Sequence, residues 1–371
     1  MIYLDNAATT LKKPDSVKKA VLQAMDTFGN ASRGAHAPAL DALRVLMEAR
    51  ITLASLFGLS DPMRVVFTPN ATVALNIAIS GINGHIVTTA ADHNAVLRPI
   101  YRRGNYTVVP CDSKGCISTE AIAAAIRPDT GAVVLAHASN VTGNVFDIQT
   151  IGELCAVRGV HFIVDAAQSA GLLSIDMKNI SALCFTGHKS LFGPQGTGGL
   201  CLGDGFMPEP LYVGGSGHHS FDVKHPQELP DALEAGTQNA HGIAGLLAGV
   251  HYIQAAGLSA IHSKADALAR LFAHSLADTP GVTLYGDLDA PLRTPVVSLT
   301  IEGCDSAEVA SLLYEKYDIA VRAGAHCAPL IHEALSLSGS VRFSFSHFNT
   351  EEETQVAVDA IRTLARRKRK E

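Results

Sequence analysis

Short, apolar, β-branched runs recur along the first two hundred residues. They fall at Arg64-Thr68, His85-Thr89, Tyr106-Pro110, Ala132-His137, His161-Asp165, Ala182-Thr186 and Gly199-Leu202, and most are separated by segments able to form helices. This alternation predicts α/β architecture with a largely parallel sheet. Upstream, Val17, Ala20, Val21, Ala24, Met25 and Phe28 keep helical spacing after Pro14, and a second helix is expected from about Leu40 to Phe57. From about Ala240 to Leu276 the pattern is long and helical. The last hundred residues mix strand candidates at Val296-Ile301 and Val341-Phe345 with helices at Ser306-Tyr317 and Thr350-Leu364, the mark of a smaller α+β domain. No internal repeat or Pro/Ser-rich linker punctuates the chain. The expected division is an N-terminal segment, 1–14, packing with the small domain, a large domain, 15–255, and the small domain, 256–371.

Two of the strand ends carry chemistry. Phe162-Ile163-Val164-Asp165-Ala166-Ala167-Gln168 delivers a carboxylate where it can pair with a protonated pyridine nitrogen. Ala182-Leu183-Cys184-Phe185-Thr186-Gly187-His188-Lys189 delivers two phosphate donors, Thr186 and His188, beside an amine able to form a Schiff base with an aldehyde. The glycine-rich turn Phe192-Gly193-Pro194-Gln195-Gly196-Thr197-Gly198-Gly199 then lets backbone approach a ligand closely. Taken singly, Asp165 reads equally well as a strand end and Lys189 as a surface lysine; taken together, these residues read as a pyridoxal 5'-phosphate site. Phe67-Thr68-Pro69-Asn70-Ala71-Thr72 ends another strand and opens a helix at Val73, so the backbone of Ala71 and Thr72 with the Thr72 hydroxyl is placed to hold a phosphate, or Thr72 simply caps the helix. His93, in a loop after a further strand, is placed to stack on a pyridine ring.

Composition narrows the class. The chain has 371 residues, 47% hydrophobic and 17% charged, with a net charge of −6, which is a globular profile with no electrostatic footprint for nucleic acid. The basic run Arg366-Arg367-Lys368-Arg369-Lys370 reads as a solvated helix end or, more sharply, as a docking site for an acidic partner. Met1-Ile2-Tyr3-Leu4-Asp5-Asn6 lacks the apolar core of a signal peptide, and no run of about 18 apolar residues suggests a membrane span, so a cytoplasmic location is expected. Seven cysteines without a Cys-x-x-Cys pair argue against a disulfide framework and a structural zinc cluster, and for at least one working thiol.

The motifs together resemble the class V aminotransferase group of pyridoxal phosphate enzymes, and within it the cysteine desulfurases and selenocysteine lyases. The likeness also takes in Tyr3-Leu4-Asp5-Asn6-Ala7-Ala8-Thr9-Thr10, His137-Ala138-Ser139-Asn140-Val141-Thr142-Gly143, Glu234-Ala235-Gly236-Thr237-Gln238-Asn239 and Val341-Arg342-Phe343-Ser344-Phe345. The resemblance implies a fold-type I transferase with a mainly parallel, mixed seven-stranded sheet. It implies cofactor attachment at Lys189, ring stacking by His93, nitrogen pairing by Asp165 and a hydrogen bond from Gln168 to the phenolic oxygen. Thr72, Thr186 and His188 would bind phosphate, and Thr237 would reach the neighbouring subunit's site in a homodimer. Asn140 and Arg342 would grip the substrate carboxylate.

Val321-Arg322-Ala323-Gly324-Ala325-His326-Cys327-Ala328-Pro329-Leu330 resembles the active loop of the second, short-loop desulfurase group. A sulfur acceptor must be an exposed, electropositively placed thiolate, and Arg322 and His326 are expected to favour that form of Cys327. A metal site from His326, Cys327 and His332 matches no standard zinc spacing. The chain departs from the pattern at Ala325, where histidine is frequent, and at Gly214-Leu233, where longer relatives carry a hairpin. The expected reaction converts L-cysteine to L-alanine with sulfur passing to Cys327 as a persulfide, then to a second thiol or a carrier protein. Selenocysteine lyase and an aminotransferase-like activity are the alternatives.

Overall fold

The computed structural model describes residues 1–31, 34–217 and 221–368. The seven apolar runs form one seven-stranded sheet in the order Val65–Thr68, Gly198–Leu202, Ala182–Thr186, His161–Asp165, Thr130–Ala136, His85–Thr89, Tyr106–Val109. Gly198–Leu202 runs antiparallel to both neighbours and every other pairing is parallel. Most of these strands are buried along their whole length, because helices cover both faces; that is why they read as continuous apolar runs rather than alternating ones. The shared strand direction brings the loops after Thr68, Thr89, Ala136, Asp165 and Thr186 to one edge, the usual place for a ligand crevice in an open α/β sheet.

A four-stranded antiparallel sheet, in the order Arg322–Gly324, Ser340–Ser344, Val296–Ile301, Val282–Tyr285, builds the C-terminal part. It packs its own apolar cluster, including Phe272, Val297, Phe343 and Ile361. Ile2–Tyr3 pairs in parallel with Ile319–Ala320, and Leu4 is buried in the same cluster. The strands at Ile2, Ile319, Arg322 and Val282 were not expected: they are two to four residues long, too short for a period to register.

The expected long helix is two, Ala240–Ala256 and Leu258–Leu276, bent by 84° at Gly257, whose φ of 84° suits glycine. Among the described residues no single helix is long and apolar enough to cross a membrane; this bent pair is apolar enough in sum, and it buries Leu246, Val250, Phe272 and Leu276 in the core. The final helix spans Glu351–Lys368, so Arg366 and Arg367 lie in its last turn, while Arg369 and Lys370 of the basic run fall outside the described residues. His218, His219 and Ser220 of the Gly214-Leu233 segment do so too.

Candidate active site

The loop carrying His93 is braced from below. Asp92 is fully buried; its Oδ2 accepts from Thr88 Oγ1 (2.8 Å), Thr89 N (2.7 Å) and Thr89 Oγ1 (2.8 Å), and its Oδ1 from Ala136 N (2.6 Å). Burial pushes this carboxyl up to about 6, against the pull of those donors. Sequence reasoning passed over Asp92, although two threonines three and four residues before a carboxylate are a signal for such a knot. His93 caps the Asn94–Arg103 helix, its Nδ1 accepting from Ala95 N at 3.0 Å. Burial, with Lys189 and Arg322 nearby, draws its pKa down to about 4, so the neutral ring keeps its proton on Nε2.

An open cleft brings together His93, Asp165, Gln168, Thr186, His188 and Lys189, with Ala71 and Thr72 on its wall. Asp165 is buried at the end of its strand, Oδ1 accepting from Ala167 N at 2.9 Å, and burial raises its pKa. Burial also draws the Lys189 amine down to about 8, with the Asp165 charge working against it. Gln168 Nε2 donates to Ala7 O at 3.1 Å. The helix after Thr68 starts at Ala71, and its cap is Asn70, whose side chain accepts from Val73 N at 3.0 Å. Thr72 is therefore an exposed first-turn residue rather than a cap. Thr186 Oγ1 is buried without a hydrogen-bond partner among the described residues. An orphaned hydroxyl, a helix N-terminus, a buried carboxylate and a depressed lysine on one cleft fit a phosphorylated aromatic aldehyde.

Arg342 is 1% exposed, and its guanidinium is already engaged: Nη1 donates to Asn140 O at 3.0 Å and Nη2 to Asp5 Oδ1 at 2.9 Å, while Nε is without a partner. Asp5 was missed because it stands 337 residues from Arg342. Asn140, expected beside Arg342 on a carboxylate, gives its side-chain amide to His326 O at 2.9 Å and so ties down the Cys327 loop. A second tie runs from Asn94 N to Cys327 O at 2.7 Å, joining the thiol's loop to the residue after His93. Cys327 is exposed, and Arg322 Nη2 lies 3.8 Å from its Sγ. His326 and Cys327 both adopt left-handed backbone, φ 49° and 57°, which turns the loop sharply between strand and helix.

The expected cationic role of His326 is overturned. Its ring is buried, Nε2 meets Ser340 O and Oγ at 3.1 Å each, and burial beside Arg342 pulls its pKa down to about 2. His332 meets the same Ser340 Oγ at 3.1 Å, so the two histidines hold the loop's base, and Arg322 is the cation beside the thiol.

Thr237 does not join the Lys189 cleft. It lines a separate hollow with Gly236, Gln238 and Arg50. The loop that carries it is anchored by Glu234, which accepts from Arg50 Nη1 (2.8 Å), Arg50 Nη2 (2.6 Å) and Phe67 N (2.6 Å), while the guanidinium packs 4.5 Å from the Phe67 ring.

The sequence matches the family described as aminotransferase class-V over residues 2–356. It is 32% identical to a probable cysteine desulfurase of Methanothermobacter thermautotrophicus, covering 98% of this chain and 94% of that protein. It is 33% identical to the cysteine desulfurase IscS of Vibrio vulnificus, covering 99% and 93%. Among solved structures, the apo cysteine desulfurase of Thermococcus onnurineus superposes with a TM-score of 0.93 at 31% identity, covering 98% of this chain and 94% of that one. The cysteine desulfurase CsdA of Escherichia coli, in an S-sulfonic acid form, superposes with a TM-score of 0.87 at 28% identity, covering 97% and 93%. With the family matched along nearly its whole length on a fold-type I sheet, the chain belongs to the class V aminotransferase family.

Proposed function

We propose that this protein is a pyridoxal phosphate-dependent cysteine desulfurase in which Lys189 holds the cofactor and Cys327 receives the sulfur. The observation that carries the reading is the double tie, through Asn94 and Asn140, of an exposed Cys327 to the cleft containing Lys189, Asp165 and His93. Relatives named as cysteine desulfurases match almost the full chain and support the same reaction.

Bound pyridoxal phosphate supplies a carbonyl for the substrate amine and a ring that accepts electrons from the substrate's Cα. Asp165, buried and anchored by Ala167 N, would pair with the protonated ring nitrogen, a partner that offsets the burial that otherwise raises its pKa. Ala71, Thr72, Thr186 and His188, which line the cleft, would hold the phosphate, and His93, its imidazole neutral, would stack on the ring. The Lys189 amine, whose pKa burial lowers to about 8 in the cofactor-free protein, would hold or move a proton at the substrate's Cα. Arg342 keeps unused N–H donors, Nε among them, for the substrate carboxylate. In the net reaction the Cβ–S bond of L-cysteine breaks, Cβ gains a proton to give L-alanine, and the sulfur atom adds to the Cys327 thiolate as a persulfide. Arg322 at 3.8 Å offers the positive charge that an attacking thiolate needs.

The reading includes a homodimer and a protein or thiol that takes the sulfur onward. Exposed apolar residues on the first two helices, Leu22, Met25, Leu43 and Ile51, and the seating of Thr237 away from the Lys189 cleft support a second copy completing the site. The division near residue 255 is supported by the 84° bend at Gly257 and by the separate apolar cluster beyond it.

Borohydride reduction of the cofactor-loaded protein followed by peptide mapping tests the attachment. A single adduct at Lys189 is expected, and Lys189→Ala is expected to stay folded yet turn over nothing. An adduct at another lysine contradicts the assignment.

A further inference from the structure

Three donors of the N-terminal segment converge on one backbone atom of the lysine loop. The carbonyl of His188 accepts from Lys13 Nζ at 2.8 Å and from Thr10 N at 3.1 Å, with Thr9 Oγ1 within reach at 3.2 Å, and Thr10 Oγ1 holds the next carbonyl, Lys189 O, at 2.9 Å. Thr9 Oγ1 also stands 3.1 Å from His188 Nδ1. A hydroxyl has one hydrogen, and a carbonyl oxygen has two lone pairs. Lys13 and Thr10 make the two shorter bonds and fill that oxygen, so the Thr9 hydrogen is free to turn to Nδ1. An imidazole that accepts at Nδ1 carries its proton at Nε2.

The choice matters because His188 is neutral near pH 7: burial, then the charges of Lys189 and Lys13, draws it down to about 4. A neutral ring is a donor on one nitrogen and an acceptor on the other. With Nδ1 turned to Thr9, only an Nε2–H gives the cleft a donor for an anion; the opposite tautomer would set a lone pair against phosphate oxygens.

We propose that Thr9 is a positioning residue which, with Lys13 holding the His188 carbonyl, locks His188 in its Nε2–H tautomer and thereby makes it a phosphate donor. The proposal rests on the pyridoxal phosphate reading. It assigns a chemical task to the Thr-Thr pair of the N-terminal motif, 179 residues from the histidine it controls.

The test compares wild type, Thr9→Val, which keeps the shape and removes the hydroxyl, and Thr9→Ser, which restores it. Nitrogen-15 spectra of histidine-labelled, cofactor-free protein, with His188 assigned through His188→Gln, read the tautomer. Titrations with pyridoxal phosphate and with pyridoxal, which lacks the phosphate, read binding. Wild type should show the Nε2–H form. Thr9→Val should lose that form and bind pyridoxal phosphate roughly tenfold or more weakly while pyridoxal binding holds, and Thr9→Ser should restore both properties. Equal weakening toward both ligands marks a merely structural role and overturns the proposal, as does unchanged phosphate-ligand binding. A wild-type Nδ1–H or doubly protonated ring overturns it whether or not the valine variant folds. Failure of the wild type to bind pyridoxal phosphate at all is a distinct result, and it removes the cofactor reading itself.

Discussion

Replacing Arg342 with lysine keeps a positive charge but removes the planar fork. In the structure that fork spans two partners on different segments, Asp5 Oδ1 at 2.9 Å and Asn140 O at 3.0 Å, from a side chain that is 1% exposed. Two of the five guanidinium N–H groups are thus committed to the protein, and the rest are left for a substrate carboxylate. A single ammonium cannot hold both protein partners and also present a paired donor. The loss is therefore one charge-assisted interaction with the substrate, about 1.5–3 kcal/mol, which corresponds to a rise in KM for L-cysteine of about 10- to 150-fold. Cofactor affinity should stay within about twofold, because Arg342's partners in the structure are Asp5 and Asn140 and its proposed ligand is the substrate carboxylate rather than the phosphate. The assay is steady-state alanine formation across a range of L-cysteine concentrations, with cofactor titration and thermal unfolding on the same preparation. Unchanged KM and kcat in a folded variant would refute the assignment of Arg342 to the carboxylate.

Two further outcomes follow from the surrounding structure. Glu234→Ala strands the Arg50 guanidinium, whose side chain is 6% exposed, without its carboxylate; stability should fall by about 3–5 kcal/mol, read as a lower Tm, and an unaltered Tm would show that the pair contributes nothing. Only a neutral amine captures an aldehyde, and the Lys189 pKa is lowered to about 8, so the neutral fraction grows as pH rises toward that value; uptake of pyridoxal phosphate by cofactor-free protein should accelerate about tenfold per pH unit up to about pH 8 and then level off, whereas acceleration continuing through pH 10 would mean an unperturbed lysine.

Much of the cleft was legible because its residues sit at the ends of strands whose apolar runs announce them. His161–Asp165 and Ala182–Thr186 have the extents expected from sequence, and with them come Asp165 and Lys189. What sequence reasoning missed is long-range polar pairing. Nothing local couples Asp5 to Arg342 or Thr9 to His188, since a hydrogen bond leaves no period in the chain. His326 was misjudged for a related reason: its charge state depends on burial against Ser340 and Arg342, and burial of a single polar side chain is invisible in composition. The bend at Gly257 was hidden because the helical pattern continues on both sides of it, although glycine there was the available sign.

The central claim is that sulfur leaves L-cysteine for Cys327. The direct measurement is intact-protein and peptide mass spectrometry of cofactor-loaded wild type and Cys327→Ala after exposure to L-cysteine or L-selenocysteine, with alanine quantified in each reaction. The account predicts a one-sulfur adduct on the Cys327 peptide of the wild type, alanine formed from L-cysteine, and a collapse of that reaction in the variant while its cofactor absorbance persists. Full desulfuration by Cys327→Ala, with no adduct on the wild-type peptide, would contradict it.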